Sequence, residues 1–217
     1  MSNSGRIKGI LFDMDNTLLQ SRIDFPAMKR GVFDFFAERK ALPGDFPIDA
    51  HTTATMLEHV KTNGGDDALI ASALAIAAKH ELAGMAGAGL EPGARELLEA
   101  LDGRFPVVVV TNNAYAAAVS ALESTGILQR FDLVVGREQM TAMKPSSSGF
   151  RYAMERFSGI SAEEWLSVGD SWIDGKASAE AGIPFISYRT PIEAMVRQGA
   201  RPKARIDHLL ELLALIG

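Results

Sequence analysis

Two aspartates stand in the middle of one of the most apolar runs of the chain. The segment ILFDMDNTLL, residues 10–19, carries Asp13 and Asp15 two positions apart. A buried carboxylate without a partner is costly in free energy, or it must hold a proton. Side chains two apart on a strand point to the same side, so both carboxylates would project into one crevice. The spacing therefore predicts a pair of acidic groups that work at one site.

Two further aspartates follow a later apolar segment. Asp170 ends the run LSVGD, and Asp174 comes one helical turn later. A cluster of carboxylates repels itself unless a cation lies among them, and oxygen ligands without histidine or cysteine favour Mg²⁺. We therefore expect a Mg²⁺ site formed by the four acidic residues Asp13, Asp15, Asp170 and Asp174.

Three other polar residues complete the set. Thr111 and Asn112 follow the run VVVV, where a loop and helix start could donate hydrogen bonds to an anion. Lys144, in the segment MKPSSSG, could supply a fixed positive charge from a loop that leads into a helix. Carboxylates, one metal ion, one lysine and a hydroxyl group at a helix start suit phosphoryl transfer.

The elements that would position these residues alternate along the chain. Short β-rich runs are separated by helical patterns, which predicts βαβ units and a mainly parallel sheet. The five strand candidates are residues 7–12 and the runs FPVVVVTNN, FDLVVG, EWLSVGD and IPFISY. The tail RIDHLLELLALIG is interpreted as a last amphipathic helix. The predicted fold class is α/β with a doubly wound parallel sheet, in which ligands bind at the carboxyl ends of the strands.

One region departs from this alternation. Between about residues 25 and 85 no convincing strand is found, and three helical patterns are predicted instead. Asp49 could cap the second helix, and the third, Ala-rich helix would begin at about Ala68. We therefore expect a small helical domain, residues 21–85, inserted after the first strand of a core formed by residues 1–20 and 86–217.

The polar residues at the strand ends match four motifs in the order of one enzyme superfamily. The sequence resembles the haloacid dehalogenase-like hydrolases through ILFDMDNTL, VVVVTNN, KP and GDSWID. The segments EPGARELLEAL, LESTGILQRFD and EAGIPFI also resemble the branch of the phosphoglycolate phosphatases and β-phosphoglucomutases. The resemblance covers essentially the whole core and implies a Rossmann-like core with a helical cap domain. One position differs, because Asn16 stands where the family often has glycine, but asparagine tolerates a left-handed backbone.

The resemblance implies roles for the residues that match. Asp13 would be the nucleophile that takes the phosphoryl group as an aspartyl-phosphate. Asp15 would protonate the leaving alcohol and then activate water. Lys144 would neutralise charge on Asp13 and on the transferring group.

The remaining matched residues would bind phosphate and metal. Thr111 and Asn112 would hold the phosphoryl oxygens. Asp170 would bind Mg²⁺ with Asp13 and the backbone carbonyl group of Asp15. Asp174 would be a direct or a supporting ligand.

Composition limits the partners and the location. The chain has 217 residues, no cysteine and a net charge of −5, which argues against disulfide bonds, thiolate catalysis and nucleic-acid binding. The Ala-rich stretch is interrupted by Lys79, His80 and Glu81, and the N-terminal apolar run is too short for a signal peptide. We expect a cytoplasmic enzyme, a monomer or homodimer without a membrane partner, that acts on a small phosphorylated metabolite.

The leading hypothesis is a Mg²⁺-dependent phosphatase that acts on a phosphoglycolate-like compound or a sugar phosphate. A phosphomutase of the β-phosphoglucomutase type would share every core residue. A haloacid dehalogenase would need neither Asp15 nor the pair Asp170 and Asp174. A catalytically silent binding module is disfavoured by the complete set of motif residues.

Overall fold

The computed structural model describes residues 7–217, which form two compact units. The first unit holds the chain up to Ser21 together with Ala88–Gly217, and the second holds Arg22–Gly87. The strands are β1 (Gly9–Phe12), β2 (Leu19–Gln20), β3 (Gly89–Leu90), β4 (Val107–Val110), β5 (Leu133–Val135), β6 (Trp165–Gly169), β7 (Phe185–Tyr188) and β8 (Ala204–Ile206). The helices are α1 (Phe25–Glu38), α2 (Thr53–Thr62), α3 (Asp67–Met85), α4 (Ala94–Leu101), α5 (Tyr115–Ser124), α6 (Ser148–Met154), α7 (Trp172–Ala181), α8 (Ile192–Arg197) and α9 (Leu212–Ile216).

The first unit is built on a six-stranded parallel sheet. The strand order is β5-β4-β1-β6-β7-β8, so the chain first builds outward from β1 on one side and then on the other. The order therefore reverses next to β1, where β4 and β6 are its two neighbours. The predicted α/β class with a doubly wound parallel sheet is confirmed.

The central strands are apolar along their whole length because both faces of the sheet are covered. All residues of β1, β4, β6 and β7 are buried. On one face Leu11, Val108 and Val110 pack with Trp165 and Phe150. Continuous β-branched or aliphatic runs of this kind are typical of parallel strands between two helical layers. The polar residues that follow these strands are consequently held at one edge of a rigid sheet.

The C-terminal part of the chain differs from the prediction. The interpretation of RIDHLLELLALIG as one amphipathic helix is wrong, because its first residues belong to β8, which pairs in parallel with β7. Only a short 3₁₀ turn, Leu209–Glu211, and α9 follow. The strand was missed because it is three residues long and includes the exposed Arg205, so it carries little apolar signal.

The second unit consists of three helices, and α1 packs against both α2 and α3. The buried face of α1 presents Met28, Val32, Phe33 and Phe36. The prediction that Asp49 caps the second helix is wrong. Asp49 lies in a separate 3₁₀ turn, and Thr52 caps α2 by accepting a hydrogen bond from the backbone of Thr55 at 3.1 Å.

The third helix of this unit is long and apolar. By length and composition alone α3 could cross a membrane, and it continues through Lys79, His80 and Glu81 rather than ending there. One such helix is weak evidence for a membrane span, because core helices of soluble proteins have the same length and composition. The predicted absence of a membrane partner stays a prediction.

Candidate active site

The carboxyl ends of β1, β4 and β6 bring the candidate residues together. Asp13 follows β1 directly, Thr111 follows β4, and Asp170 follows β6. Because β4 and β6 flank β1, side chains from distant parts of the sequence become neighbours at one edge of the sheet. The turn after β1 includes Asn16 with φ of 55°, which confirms the expectation that asparagine can occupy the position.

Three carboxylates converge at this edge. Asp13, Asp170 and Asp174 each offer one oxygen atom, and these atoms lie within 4.8 Å of one another. Asp174 reaches the cluster from the first turn of α7, across the backbone of Gly169. A Cβ atom at Gly169 would meet the carboxylate carbon of Asp174 at 2.6 Å, so only glycine leaves room for this side chain. The glycine of the segment GDSWID is thus a requirement of the site.

Lys144 is the positive centre of the cluster. Its side chain is 1% exposed, and its ammonium group donates to Asp13 Oδ1 at 2.6 Å, to Asp174 Oδ1 at 2.7 Å and to the carbonyl oxygen of Val110 at 2.8 Å. These contacts match the three N–H donors of an ammonium group. Burial by itself lowers the pKa of Lys144, but the attraction of Asp13 and Asp174 outweighs it and leaves the pKa raised. The lysine therefore stays charged.

The carboxylates outnumber this one cation. Burial, followed by the repulsion of Asp13 and Asp174, raises the pKa of Asp170. Burial also raises the pKa of Asp174, although Lys144 opposes the rise. Asp13 Oδ2 accepts a further hydrogen bond from the hydroxyl group of Thr17 at 3.2 Å. The excess of negative charge is the condition in which a divalent cation with hard oxygen ligands binds well.

Asp15 lies in a different environment from Asp13. Its side chain is not part of the three-carboxylate cluster, and its Oδ2 accepts a hydrogen bond from the side-chain amide group of Asn113 at 2.7 Å. Burial, followed by the repulsion of Asp13, raises the pKa of Asp15 to about 7, although the side chains of Ser21 and Asn113 oppose the rise. A carboxyl group with such a pKa can both give and take a proton near neutral pH.

The loop after β4 holds Thr111, Asn112 and Asn113, and each side chain has a different contact. Thr111 Oγ1 accepts a hydrogen bond from the backbone N–H of Asn113 at 3.2 Å. Asn112 donates to the carbonyl oxygen of Lys144 at 2.9 Å and accepts from its N–H at 2.8 Å. The side chain of Asn112 therefore fixes the backbone of Lys144, a contact that its predicted role in phosphate binding did not include.

Asn113 is a site residue that was not predicted from the sequence. It is 4% exposed and contacts Asp15 directly, but the sequence analysis assigned roles only to Thr111 and Asn112, the two residues before it. An asparagine close to the end of a buried strand is the signal that could have found it, because a buried amide group needs partners.

Comparisons with known proteins agree with this geometry. The model of the haloacid dehalogenase-like hydrolase family matches residues 7–182. A phosphoglycolate phosphatase of Rhodobacter capsulatus is 26% identical over 199 residues, which cover 86% of this chain and 88% of that protein.

Solved structures share the fold. YfnB from Bacillus subtilis, solved bound to magnesium, matches with a TM-score of 0.65 and 24% identity, over 98% of this chain and all of that one. CbbY from Rhodobacter sphaeroides, solved in complex with phosphate, matches with a TM-score of 0.66 and 21% identity, over 95% and 96% of the two chains.

The family prediction is confirmed by these matches, and the names of the relatives support the predicted class of enzyme, a phosphatase. The chain belongs to the haloacid dehalogenase-like hydrolases.

Proposed function

We propose that the protein is a Mg²⁺-dependent phosphatase that hydrolyses a small phosphorylated metabolite through an aspartyl-phosphate. The observation that carries the proposal is the convergence of Asp13, Asp170 and Asp174 around the buried ammonium group of Lys144. Relatives named phosphoglycolate phosphatase support a phosphoglycolate-like substrate, and a sugar phosphate is the other proposed substrate class.

Asp13 is proposed as the nucleophile. Its side chain is 11% exposed, so it can reach a substrate, while Lys144 and Thr17 hold its two oxygen atoms. An oxygen of Asp13 attacks the phosphorus atom, and the bond between phosphorus and the leaving alcohol breaks. The ammonium group of Lys144 offsets the negative charge that gathers as the phosphoryl group approaches.

Asp15 is proposed as the general acid and base. In the first step it gives its proton to the oxygen of the leaving alcohol. In the second step the ionised carboxylate takes a proton from water, and the remaining hydroxide oxygen attacks the phosphorus atom and releases Asp13. The proton that was given is thereby restored, and Asp13 and Asp15 return to their starting states.

The residues of the cluster fit a Mg²⁺ ion. Asp13 and Asp170, with the backbone carbonyl group of Asp15, are proposed as its protein ligands. Asp174 is proposed as a supporting residue, because its Oδ1 accepts from Lys144 and its Oδ2 accepts from the N–H of Ser171 at 3.1 Å. When bound, the ion neutralises charge on the phosphoryl oxygens.

The loop after β4 is proposed as the phosphate cradle. The hydroxyl group of Thr111 is the proposed side-chain contact, and Asn112 contributes by holding the Lys144 backbone and through the peptide groups of the loop. The helical unit, Arg22–Gly87, is proposed as the cap domain that carries substrate specificity.

The test is phosphate release from p-nitrophenyl phosphate and from a panel of phosphorylated metabolites, with Mg²⁺ and with a chelator. We expect turnover that requires Mg²⁺. Asp13→Asn should lose turnover while its circular dichroism spectrum stays that of the wild type. Mass spectrometry of a quenched reaction should find one added phosphoryl group on the wild-type protein and none on Asp13→Asn. Retained activity in this variant contradicts the proposal, and isomerisation of a hexose phosphate without phosphate release would show a mutase instead.

A further inference from the structure

Two consecutive asparagines at the end of β4 contact two different parts of the site. Asn112 is bonded at both ends of its amide group to the backbone of Lys144. Asn113 instead donates from its side-chain nitrogen to Asp15 Oδ2 at 2.7 Å, across 98 positions of sequence. The first contact supports a fixed charge, and the second reaches the group proposed to move protons.

Asn113 is held firmly on its own backbone. Its N–H donates to Thr111 Oγ1 at 3.2 Å, and its carbonyl oxygen accepts from the N–H of Arg137 at 3.0 Å. The residue is 4% exposed, so the side chain has little room to move. An amide group fixed in this way can impose an orientation on the carboxyl group that it contacts.

The two oxygens of Asp15 are not equivalent as a result. Oδ2 accepts the amide hydrogen of Asn113, whereas Oδ1 is buried without a hydrogen-bond partner among residues 7–217. The nitrogen of an amide group donates and does not accept, whereas a hydroxyl group such as that of nearby Ser21 can do both. Asn113 can therefore only hold Oδ2 as an acceptor, which fixes the orientation of the carboxyl group of Asp15.

We infer that Asn113 is a positioning residue that holds the carboxyl group of Asp15 in the orientation in which it gives its proton to the leaving alcohol. This inference rests on the proposed function, since it concerns the same reaction. The bond between phosphorus and the alcohol oxygen breaks with its electron pair on that oxygen, which takes the proton from Asp15. Asp15 then remains as a carboxylate with Oδ2 still bonded to Asn113.

Leaving groups of different acidity separate this role from general support of the fold. p-Nitrophenolate leaves readily without a proton, whereas phenolate of almost the same shape depends more strongly on one. If Asn113 orients the acid, Asn113→Ala should lower kcat/KM for phenyl phosphate about tenfold or more, and that for p-nitrophenyl phosphate less than about threefold. Asn113→Asp, which keeps the shape but replaces the donor, should show the same selectivity.

Asn112→Ala is the matched control. It removes a neighbouring amide group that supports Lys144, and the charge of Lys144 acts on every ester, so the two substrates should lose activity by similar factors. An equal loss for both esters in Asn113→Ala, or an Asn113→Asp variant with the wild-type ratio, would overturn the inference. Thermal unfolding followed by circular dichroism identifies a variant that loses activity because it is unfolded.

A crystal structure gives a readout that does not depend on activity. In Asn113→Ala the carboxyl group of Asp15 should turn away from its present orientation, and an unchanged side-chain position would overturn the inference.

Different results would contradict the proposed function and the inference about Asn113. If the wild-type protein with Mg²⁺ hydrolyses neither ester, the proposed function fails and the inference falls with it; if it hydrolyses both and the Asn113 variants are unselective, only the inference fails.

Discussion

The two compact units of this protein differ in how many charged side chains they bury. The sheet unit buries Lys144 and Asp174 and places Asp13 and Asp170 beside them. In the helical unit the ionisable side chains are mostly at the surface, and Glu81 is the one fully buried acidic residue among those described there. Burying several charges costs free energy. Their concentration at the strand ends therefore indicates that the functional groups lie in the sheet unit.

The largest expected effect lies at the centre of the charged cluster. Lys144→Met leaves the buried Asp174 and the half-buried Asp13 without their common partner, which should lower the free energy of unfolding by about 3–5 kcal/mol. Activity should fall by about 100-fold or more in any fraction that stays folded, because the fixed charge near the phosphoryl group is lost. Urea unfolding and kcat/KM with p-nitrophenyl phosphate measure the two effects.

The matched control is another lysine of the same unit. Lys176 is exposed on α7 and has a cation–π contact with Trp172 at 4.8 Å. Lys176→Met should change stability by less than about 1 kcal/mol and leave turnover nearly unaltered. Similar stabilities of the two variants would contradict the contrast between buried and surface charge.

A pH experiment isolates the contribution of Asp15 to stability. The pKa of Asp15 is about 7 in the folded state against 3.8 for an ordinary aspartate, so the folded protein holds this proton more tightly than the unfolded chain. Ionisation therefore destabilises the fold as pH rises from about 4 to 7, by about 1.4 kcal/mol for each unit of the rise in pKa. Asp15→Asn has no proton to lose and should gain stability relative to the wild type over this range.

The measurement is urea unfolding of both proteins at several pH values without divalent cations. The difference in the free energy of unfolding, variant minus wild type, should grow between about pH 4 and 7 and level off above. A difference that does not change with pH would show that folding does not raise the pKa of Asp15. Added Mg²⁺ should stabilise the wild type more at about pH 8 than at about pH 5, because carboxylates bind the ion in their ionised form.

In the helical unit the expected effects come from packing rather than charge. A Cβ atom at Gly84 of α3 would clash with the backbone Cα atom of Ile23, so Gly84→Ala should destabilise this unit by about 1–3 kcal/mol. Gly31→Ala in α1 is the control, because its Cβ atom would make an ordinary contact with Ile76 at 3.4 Å. Helix propensity then favours alanine, by up to about 1 kcal/mol. Amide hydrogen exchange in the helices distinguishes the two variants, and equal protection would contradict the expected clash.

The smallest expected effect tests the corrected helix start. Thr52→Ala removes the cap of α2 and should cost about 1 kcal/mol of stability in that helix. Asp49→Ala, at the position wrongly predicted to cap it, should cost close to nothing. Amide exchange in the first turn of α2 measures both variants, and a larger effect for Asp49→Ala would show that Asp49 is the cap after all.

A helix or strand could be predicted from the sequence when its residues form a clear apolar pattern. The four long buried strands and the helices between them were predictable, because parallel strands and amphipathic helices leave continuous patterns. The strand β5 is also only three residues long, but it is apolar throughout and was predicted. The strand β8 was not, since it includes the exposed Arg205 and carries little apolar signal. The start of α2 was misplaced because Asp49 and Thr52 are both residue types that cap helices well. Only the path of the backbone decides which of them caps the helix.

The sequence by itself determined which groups would do chemistry and in what order they follow the strands. Acidic residues are rarely placed in apolar surroundings without a function or a partner, so Asp13, Asp15 and Asp170 could be singled out from residue type and spacing alone. Only the tertiary structure decided which contacts these carboxylates make. Asp13 and Asp174 both accept a hydrogen bond from Lys144, whereas Asp15 accepts one from Asn113. These contacts join residues from about 30 to more than 130 positions apart, and no local pattern records a hydrogen bond that exists only after the sheet has formed.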